Sequence, residues 1–342
     1  MKNEKEWKLR IMTDLAVEAA ELLSAEETAE KTDEGDEFDG VTIDISEKET
    51  AAATVKTTWI EILNADGAKK MGKPIGNYIT VESAAMKENE VEAHEEIIKI
   101  LSEQLVKLKK LGDDALILVI GLGNWNVTPD ALGPKVISKI LVTRHIMDAL
   151  PAELDCDLRP VSAVTPGVMG ITGIETGEIV KGIVEKIKPD LVIAVDALAA
   201  RHANRVNATV QLSDTGISPG AGMGNRRMAI NEETLGVPVI AVGVPTVVDA
   251  ATLVNDSLDQ MLSSMISELP EDSAFFEMLN NLESEEKYTL IRNVLDPYAG
   301  NMFVAPKEVD AVIERLSNII ANAVNIALHP GITKEDINRY LY

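Results

Sequence analysis

A single cysteine, Cys156, stands in 342 residues, so no internal disulfide can form and the stapled small secreted folds are excluded. Positive charge is also scarce. Against 56 aspartates and glutamates there are 32 lysines and arginines, a formal charge of -24. Such a field repels DNA, RNA and anionic lipid unless a local basic patch opposes it, which argues against nucleic-acid and membrane partners and leaves basic or neutral polypeptides open. No apolar run has the length expected of a membrane-spanning helix. The opening stretch MKNEKEWKLRIMTDLAVEAAELL interleaves charge with apolar residues instead of forming a signal-peptide core. The expectation is an intracellular protein.

Several catalytic signatures are missing too. There is no H-E-x-x-H and no zinc-type Cys/His spacing, so His94, His145, His202 and His329 do not suggest a structural metal. Only His202 lies near a candidate acid, which leaves one metal set, Asp130, Asp196 and His202, to be weighed. A G-x-S-x-G elbow is absent, and Cys156 lacks a nucleophile's context. GLGNWN starts like a dinucleotide loop, but the third glycine would fall at Asn126, with Pro129 ahead.

With 46% hydrophobic residues the chain can bury a substantial core. Helical periodicity runs from Met12 to Leu23, followed by the acidic stretch SAEETAEKTDEGDEFDG, a linker too poor in apolar residues to pack. The structured body is therefore expected from about Val41. VTIDI, TVKTTWIEI and NYITVE read as strands of an antiparallel element, with DGAKKMGKP as a hairpin-like loop. Beyond them, helices alternate with continuous apolar strands: a helix over about 89–111, ALILVIG, a helix over 131–150, RPVSAVTPG, a helix over 175–187, LVIAVDA, NATVQLS, VPVIAVGVP, and helices near 248–262 and 307–328. That alternation predicts an α/β fold whose central sheet is mostly parallel and covered by helices on both faces, with a smaller antiparallel element. Ligands bind such sheets at the carboxyl ends of the strands.

Two of those strands deliver an acid there. ALILVIG leads through GLGNWNVTP to Asp130, and LVIAVDALAAR ends in Asp196. An N-terminal cap explains one such acid but not two. If the strands are neighbours, the two carboxyls share a proton, one acting as base and the other as acid, which is the equipment for adding water to an amide. Backbone N–H groups of Gly123 and Asn124, or the Asn124 side-chain amide, suit an oxyanion or a positioning role. Asp214-Thr215-Gly216 matches the D-T-G of pepsin-like enzymes, but those folds are all-β; here it reads as a loop lining the same cleft. PGAGMGNRR is either an anion cradle or a flexible rim.

GLGNWNVTPDALGP, AVTPGVMGITGIETGEIV, DALAAR, SDTGISPGAGMGN and GVPVIAVGVPTVVDA together resemble the germination proteases of endospore-forming bacteria, and the likeness extends from about Arg10 to the C-terminal helix. It implies an endopeptidase made as a self-processing zymogen, in the cytoplasm of the developing spore core, that degrades small acid-soluble spore proteins on germination. It also implies a homotetramer, needs no cofactor, and places the chain in an atypical aspartic class whose catalytic residues match Asp130 and Asp196. The implied fold is similar to that of hydrogenase-maturation peptidases, whose G-x-G-N loop accompanies metal-sensing acidic and histidine ligands, so a metal-dependent endopeptidase of that kind is the alternative. A non-catalytic binder that sequesters spore proteins is a third reading.

The motif TDLAVE, Thr13 to Glu18, resembles the family's substrate cleavage sequence and marks Asp14–Leu15 as the processing bond. The resulting division is a propeptide over 1–14, a helix and acidic linker over 15–40, and one peptidase domain over 41–342. For an acid such as Asp14, the nearest guanidinium partners in sequence are Arg201, Arg205, Arg226 and Arg227.

Overall fold

The computed structural model describes residues 13–27, 40–147, 158–218, 227–268, 294 and 302–332. Among them a nine-stranded sheet forms the centre: β1 (Val41–Glu49), β2 (Thr54–Ile62), β3 (Gly76–Glu82), β4 (Ile117–Gly121), β5 (Val161–Val164), β6 (Leu191–Ala200), β7 (Thr209–Ser213), β8 (Val239–Asp249) and β9 (Phe303–Val304). Their order is β1-β2-β3-β7-β8-β6-β4-β5, with β9 beside β8.

The fold is α/β as the sequence predicts, but the sheet is not mostly parallel. Only β4–β5, β4–β6 and β6–β8 run parallel, whereas β1–β2, β2–β3, β3–β7, β7–β8 and β8–β9 are antiparallel. The reason lies in the link from β6 to β7. A parallel return needs a crossover of about a dozen residues or more. Here Ala200 and Thr209 are joined by one short turn, so β7 reverses and zips the antiparallel half to the parallel half.

Apolar alternation along the strands feeds both faces. Ile193 and Val195 of β6, Val210 and Leu212 of β7, and Val242 and Val244 of β8 join one core with α3 (Val91–Leu108), α4 (Leu132–Ile137) and α7 (Val309–Leu328). α7 is long and apolar enough to cross a membrane, but its apolar side chains, Leu316 and Ile320 among them, are buried against this core. On the opposite face lie two separate clusters. One joins Leu118, Ile120, Val192 and Ala194 to α5 (Thr176–Ile187); the other joins Leu198 and Ala200 to α1 (Ala16–Glu27) and to Ile60 and Tyr78. Asp196 falls on this face, between Ala194 of the first cluster and Leu198 of the second.

Two local expectations change. DGAKKMGKP contains a helix, α2 (Ala65–Met71): Asn64 Oδ1 accepts from the backbone N–H groups of Asp66 and Gly67, and Gly72 closes it at φ 63 in the left-handed region. These are ordinary start and stop residues of a short helix. The body also begins before Val41. Leu15 and Ala16 are fully buried, and Val17 and Ala20 nearly so, packed into the second cluster. The intervening acidic linker, over 28–39, lies outside the described residues. A further helix, α6 (Ala250–Glu268), follows β8.

Candidate active site

β4 stops at Gly121, level with Val195 of β6, and the Leu122 N–H donates to the Val195 carbonyl at 2.8 Å. The GLGNWNVTPD loop is thus tied to the strand position immediately before Asp196. It then folds back on itself: the Asn124 N–H donates to the Asp130 backbone carbonyl at 3.0 Å and to its carboxylate Oδ2 at 2.8 Å. Such closeness needs a residue without a side chain. Gly123 sits at φ +108, and a Cβ there would lie 2.0 Å from the Asp130 carbonyl oxygen. Gly133 plays the matching part beyond Asp130, since a Cβ would meet the Leu122 carbonyl at 2.2 Å. Thr128 Oγ1 donates to Asp310 of α7 at 2.9 Å, which anchors the loop's far side.

Asp130 and Asp196 both line a cavity of about 790 Å³ on this face of the sheet. Burial pushes the Asp130 carboxyl above its ordinary range, partly offset by the Asn124 N–H and by the charge of Arg227. Asp196 is raised well above it, by burial first and then by the negative charge of Asp130; the Ala197 N–H, donating to Oδ1 at 2.9 Å, and Arg227 oppose the shift. Both carboxyls are thus shifted toward the protonated form, Asp196 the more strongly, with the charge of Asp14 adding to that of Asp130. The Asn124 N–H, a candidate oxyanion donor from sequence, is committed to Asp130 and acts in positioning that acid.

The cavity is also lined by Asp14 of the same chain. The Asp14 N–H donates to the Ala199 carbonyl at 3.2 Å, and the Ala199 N–H donates to the Asp14 carboxylate at 2.9 Å. The Asp14 carbonyl oxygen accepts from Lys73 Nζ at 2.9 Å and from Gln211 Nε2 at 3.1 Å. Gln211 Oε1 accepts from the Ala16 N–H at 2.6 Å. Four residues on, Glu18 takes the N–H groups of Arg201 and His202 at 2.8 and 2.9 Å. The segment Thr13 to Glu18 is therefore seated along β6 beside the two acids. Sequence reasoning did not single out Lys73, Gln211 or Ala199; only a fold that lays α1 over β6 and β7 brings them to Asp14.

The candidate arginines divide. Arg205 grips Glu21 through Nη1 at 2.7 Å and Glu82 through Nε at 2.8 Å, with Glu18 at 3.6 Å, so it pins α1 to the sheet. Arg201 reaches Glu18 with its backbone. Arg227 lines the cavity, and Arg226 lies outside the described residues. Asp214 of D-T-G is held by Asn77, whose N–H and Nδ2 donate to its two oxygens at 2.8 and 2.7 Å. It fixes the loop, while its neighbours Thr215 and Gly216 line the cavity. His202 Nδ1 faces Asp256 at 3.4 Å, and among the described residues no three His, Cys, Asp or Glu side chains gather as a metal set.

The chain matches the family described as germination protease over residues 16–275 and 264–341. It is 50% identical to a germination protease of Clostridium perfringens over 331 residues, covering 97% of this chain and 99% of the other. The germination protease of Clostridium tetani is 50% identical over 333 residues (97% and 100% covered), and that of Priestia megaterium 41% over 366 (97% and 97%). With a match that takes in the loop of Asp130 and the strand of Asp196, and with relatives of that identity and coverage, this chain belongs to the germination protease family.

Proposed function

We propose that this protease is an aspartic-type endopeptidase, made as a self-processing zymogen, that opens small acid-soluble spore proteins when a spore germinates. The observation that carries the reading is Asp14, which lines the cavity of Asp130 and Asp196 with its carbonyl held by Lys73 and its carboxylate by the Ala199 N–H, directly before the buried Leu15. Membership of the germination protease family supports a spore protease, and the buried pair supplies the chemistry.

In that chemistry, ionised Asp130 takes a proton from water as the water oxygen bonds to the carbonyl carbon and the carbonyl π pair moves onto oxygen. Protonated Asp196 then gives its proton to the amide nitrogen, the C–N bond breaks, and a carboxylic acid and an amine leave. The strand-like pairing of Asp14 with Ala199 sets the register, Leu15 fills an apolar pocket, and the Glu18 carboxylate docks on two backbone N–H groups. An acidic enzyme also meets a DNA-coating protein without adhering to the DNA. The assembly that goes with this reading is a homotetramer in the spore core.

Incubating the full-length chain under mildly acidic conditions and reading the new N-terminus by mass spectrometry tests the zymogen reading. The expected first product begins at Leu15. An intact chain, or a first cut outside residues 10–20, contradicts it.

A further inference from the structure

In the chemistry above the two acids handle the protons of water and of the leaving nitrogen, which leaves the negative charge that gathers on the carbonyl oxygen during attack by water to other groups. Electrostatic stabilisation of that oxygen is commonly the largest single contribution to amide hydrolysis, and it needs donors 2.7–3.1 Å from the oxygen. The GLGNWN loop does not offer its Asn124 N–H for this, because Asp130 already holds it.

We propose that Lys73 and Gln211 are the oxyanion-stabilising residues: Lys73 Nζ and Gln211 Nε2 converge on the carbonyl oxygen of the bond to be cut. The inference rests on reading Asp14–Leu15 as that bond. Its distances are 2.9 Å from Lys73 and 3.1 Å from Gln211, and both residues line the cavity of Asp130 and Asp196. Gln211 also accepts from the Ala16 N–H, so one amide side chain brackets Leu15, holding the carbonyl before it and the N–H after it. That fixes which carbonyl meets the donors.

The backbone explains why the two groups stand where they do. Asp196, Gly243 and Gln211 are register partners across β6, β8 and β7, so Gln211 lies on the same face as Asp196, two strand spacings or roughly 9–10 Å away between Cα atoms. A peptide running between them has acids on one side and donors on the other. Lys73 arrives by a separate route. The left-handed turn at Gly72 ends α2, and the Lys73 N–H closes on the Ala68 carbonyl at 3.2 Å. The next residue is clamped: Tyr78 Oη donates to the Pro74 carbonyl at 2.9 Å, and Thr215 Oγ1 donates to Tyr78 Oη at 3.1 Å. Thr215 belongs to the D-T-G loop, whose Asp214 is fixed by Asn77. The motif that mimics a pepsin signature thus supports the loop carrying Lys73.

A structural role alone does not call for an ammonium here. Burial makes a charge at Lys73 costly and pushes its pKa down, against the Asp14 and Glu18 carboxylates that raise it. An apolar side chain of similar length would fill the same space without that cost. A cation aimed at a carbonyl oxygen that gains charge only during reaction recovers its cost at that moment.

The test follows first-order self-cleavage of the full-length chain in wild type, Lys73→Met, Lys73→Arg and Gln211→Leu, with amide hydrogen exchange of residues 14–18 read on each uncut chain. Wild type cutting first at another bond removes the Asp14–Leu15 reading itself, independently of Lys73. Given a wild-type cut at Asp14–Leu15, Lys73→Met and Gln211→Leu are each expected to slow it by roughly 10²–10³-fold, with exchange protection of 14–18 retained in Lys73→Met and reduced in Gln211→Leu only at the Ala16 N–H, whose acceptor is removed, and Lys73→Arg to recover part of the loss. A Lys73→Met rate within threefold of wild type overturns the proposal. So does a slow rate matched by lost protection, which makes Lys73 only a seat for the segment. If Lys73→Met does not fold, Gln211→Leu and Lys73→Arg decide on the same two readouts.

Discussion

At the scale of single residues, the account rests on a carboxyl kept neutral by its surroundings. Asp196 is held above its ordinary value of 3.8 by burial and then by Asp130, so the folded chain binds its proton more tightly than the unfolded chain does. Its favourable contribution to stability is complete below the ordinary aspartate range and is lost as pH rises through the folded value. Asparagine cannot ionise. Asp196→Asn should therefore unfold at a higher temperature than wild type at pH 8, by roughly 1–2 °C for each kcal/mol of relieved cost, and the gap should close as the pH falls toward 4. Thermal melts across that range check it; an equal or lower midpoint at pH 8 shows that the acid is not strained there. Catalysis has the complementary dependence. Rate requires Asp130 ionised and Asp196 protonated, so the profile is bell-shaped, with an acid limb above the ordinary aspartate range because burial raises Asp130 too.

At the scale of elements, the loop between β4 and α4 positions Asp130 through a glycine that nothing can replace. Gly123→Ala forces a side chain to φ +108 and into the Asp130 carbonyl. The expected result is at least a hundredfold loss of cleavage, with a destabilisation of roughly 1–3 kcal/mol. Near-wild-type activity would show that the loop tolerates a different path. Both acids, the strands that carry them and this glycine were legible in the sequence, because two apolar strands ending in aspartate form a local pattern. The direction of β7 was not, since NATVQLS reads alike in either orientation and only the brevity of its link from β6 decides it. Lys73 was hidden for a different reason. DGAKKMGKP looks like turn chemistry, and nothing in it reports that its last lysine faces a carbonyl 59 residues earlier. The N-terminal helix was found as a helix but not as part of the core, because the acidic linker after it, too poor in apolar residues to pack, put the start of the structured body near Val41.

At the scale of the whole molecule, the position of the proposed cut matters. α1 begins just beyond Leu15, and Leu15 together with the buried α1 residues Ala16, Val17 and Ala20 belongs to the cluster with Ile60, Tyr78 and Leu198. Cleavage after Asp14 therefore leaves that cluster in the chain and clears only the residues before it from the cavity. The processed protein is expected to keep its fold and to expose β6 to an incoming substrate strand. Its assembly can be read by light scattering before and after processing, with a tetramer expected in both. The charge of -24 should also make cleavage of a spore-protein substrate that carries a basic segment fall with ionic strength, as screening removes the attraction.

The most direct measurement of the central claim is the turnover of such a substrate by Asp130→Asn, Asp196→Asn, the double variant and Asp214→Asn, each confirmed folded. Asparagine keeps the size and most of the hydrogen bonding of each acid while removing its proton chemistry. Either single variant at the pair should lose essentially all cleavage, the double should be little worse than either alone, and Asp214→Asn should keep most of its activity, because the asparagine Oδ1 still accepts the Asn77 N–H and residue 214 acts only by supporting the loop of Lys73. Cleavage persisting in Asp196→Asn, or a dead Asp214→Asn beside active pair variants, would contradict the account.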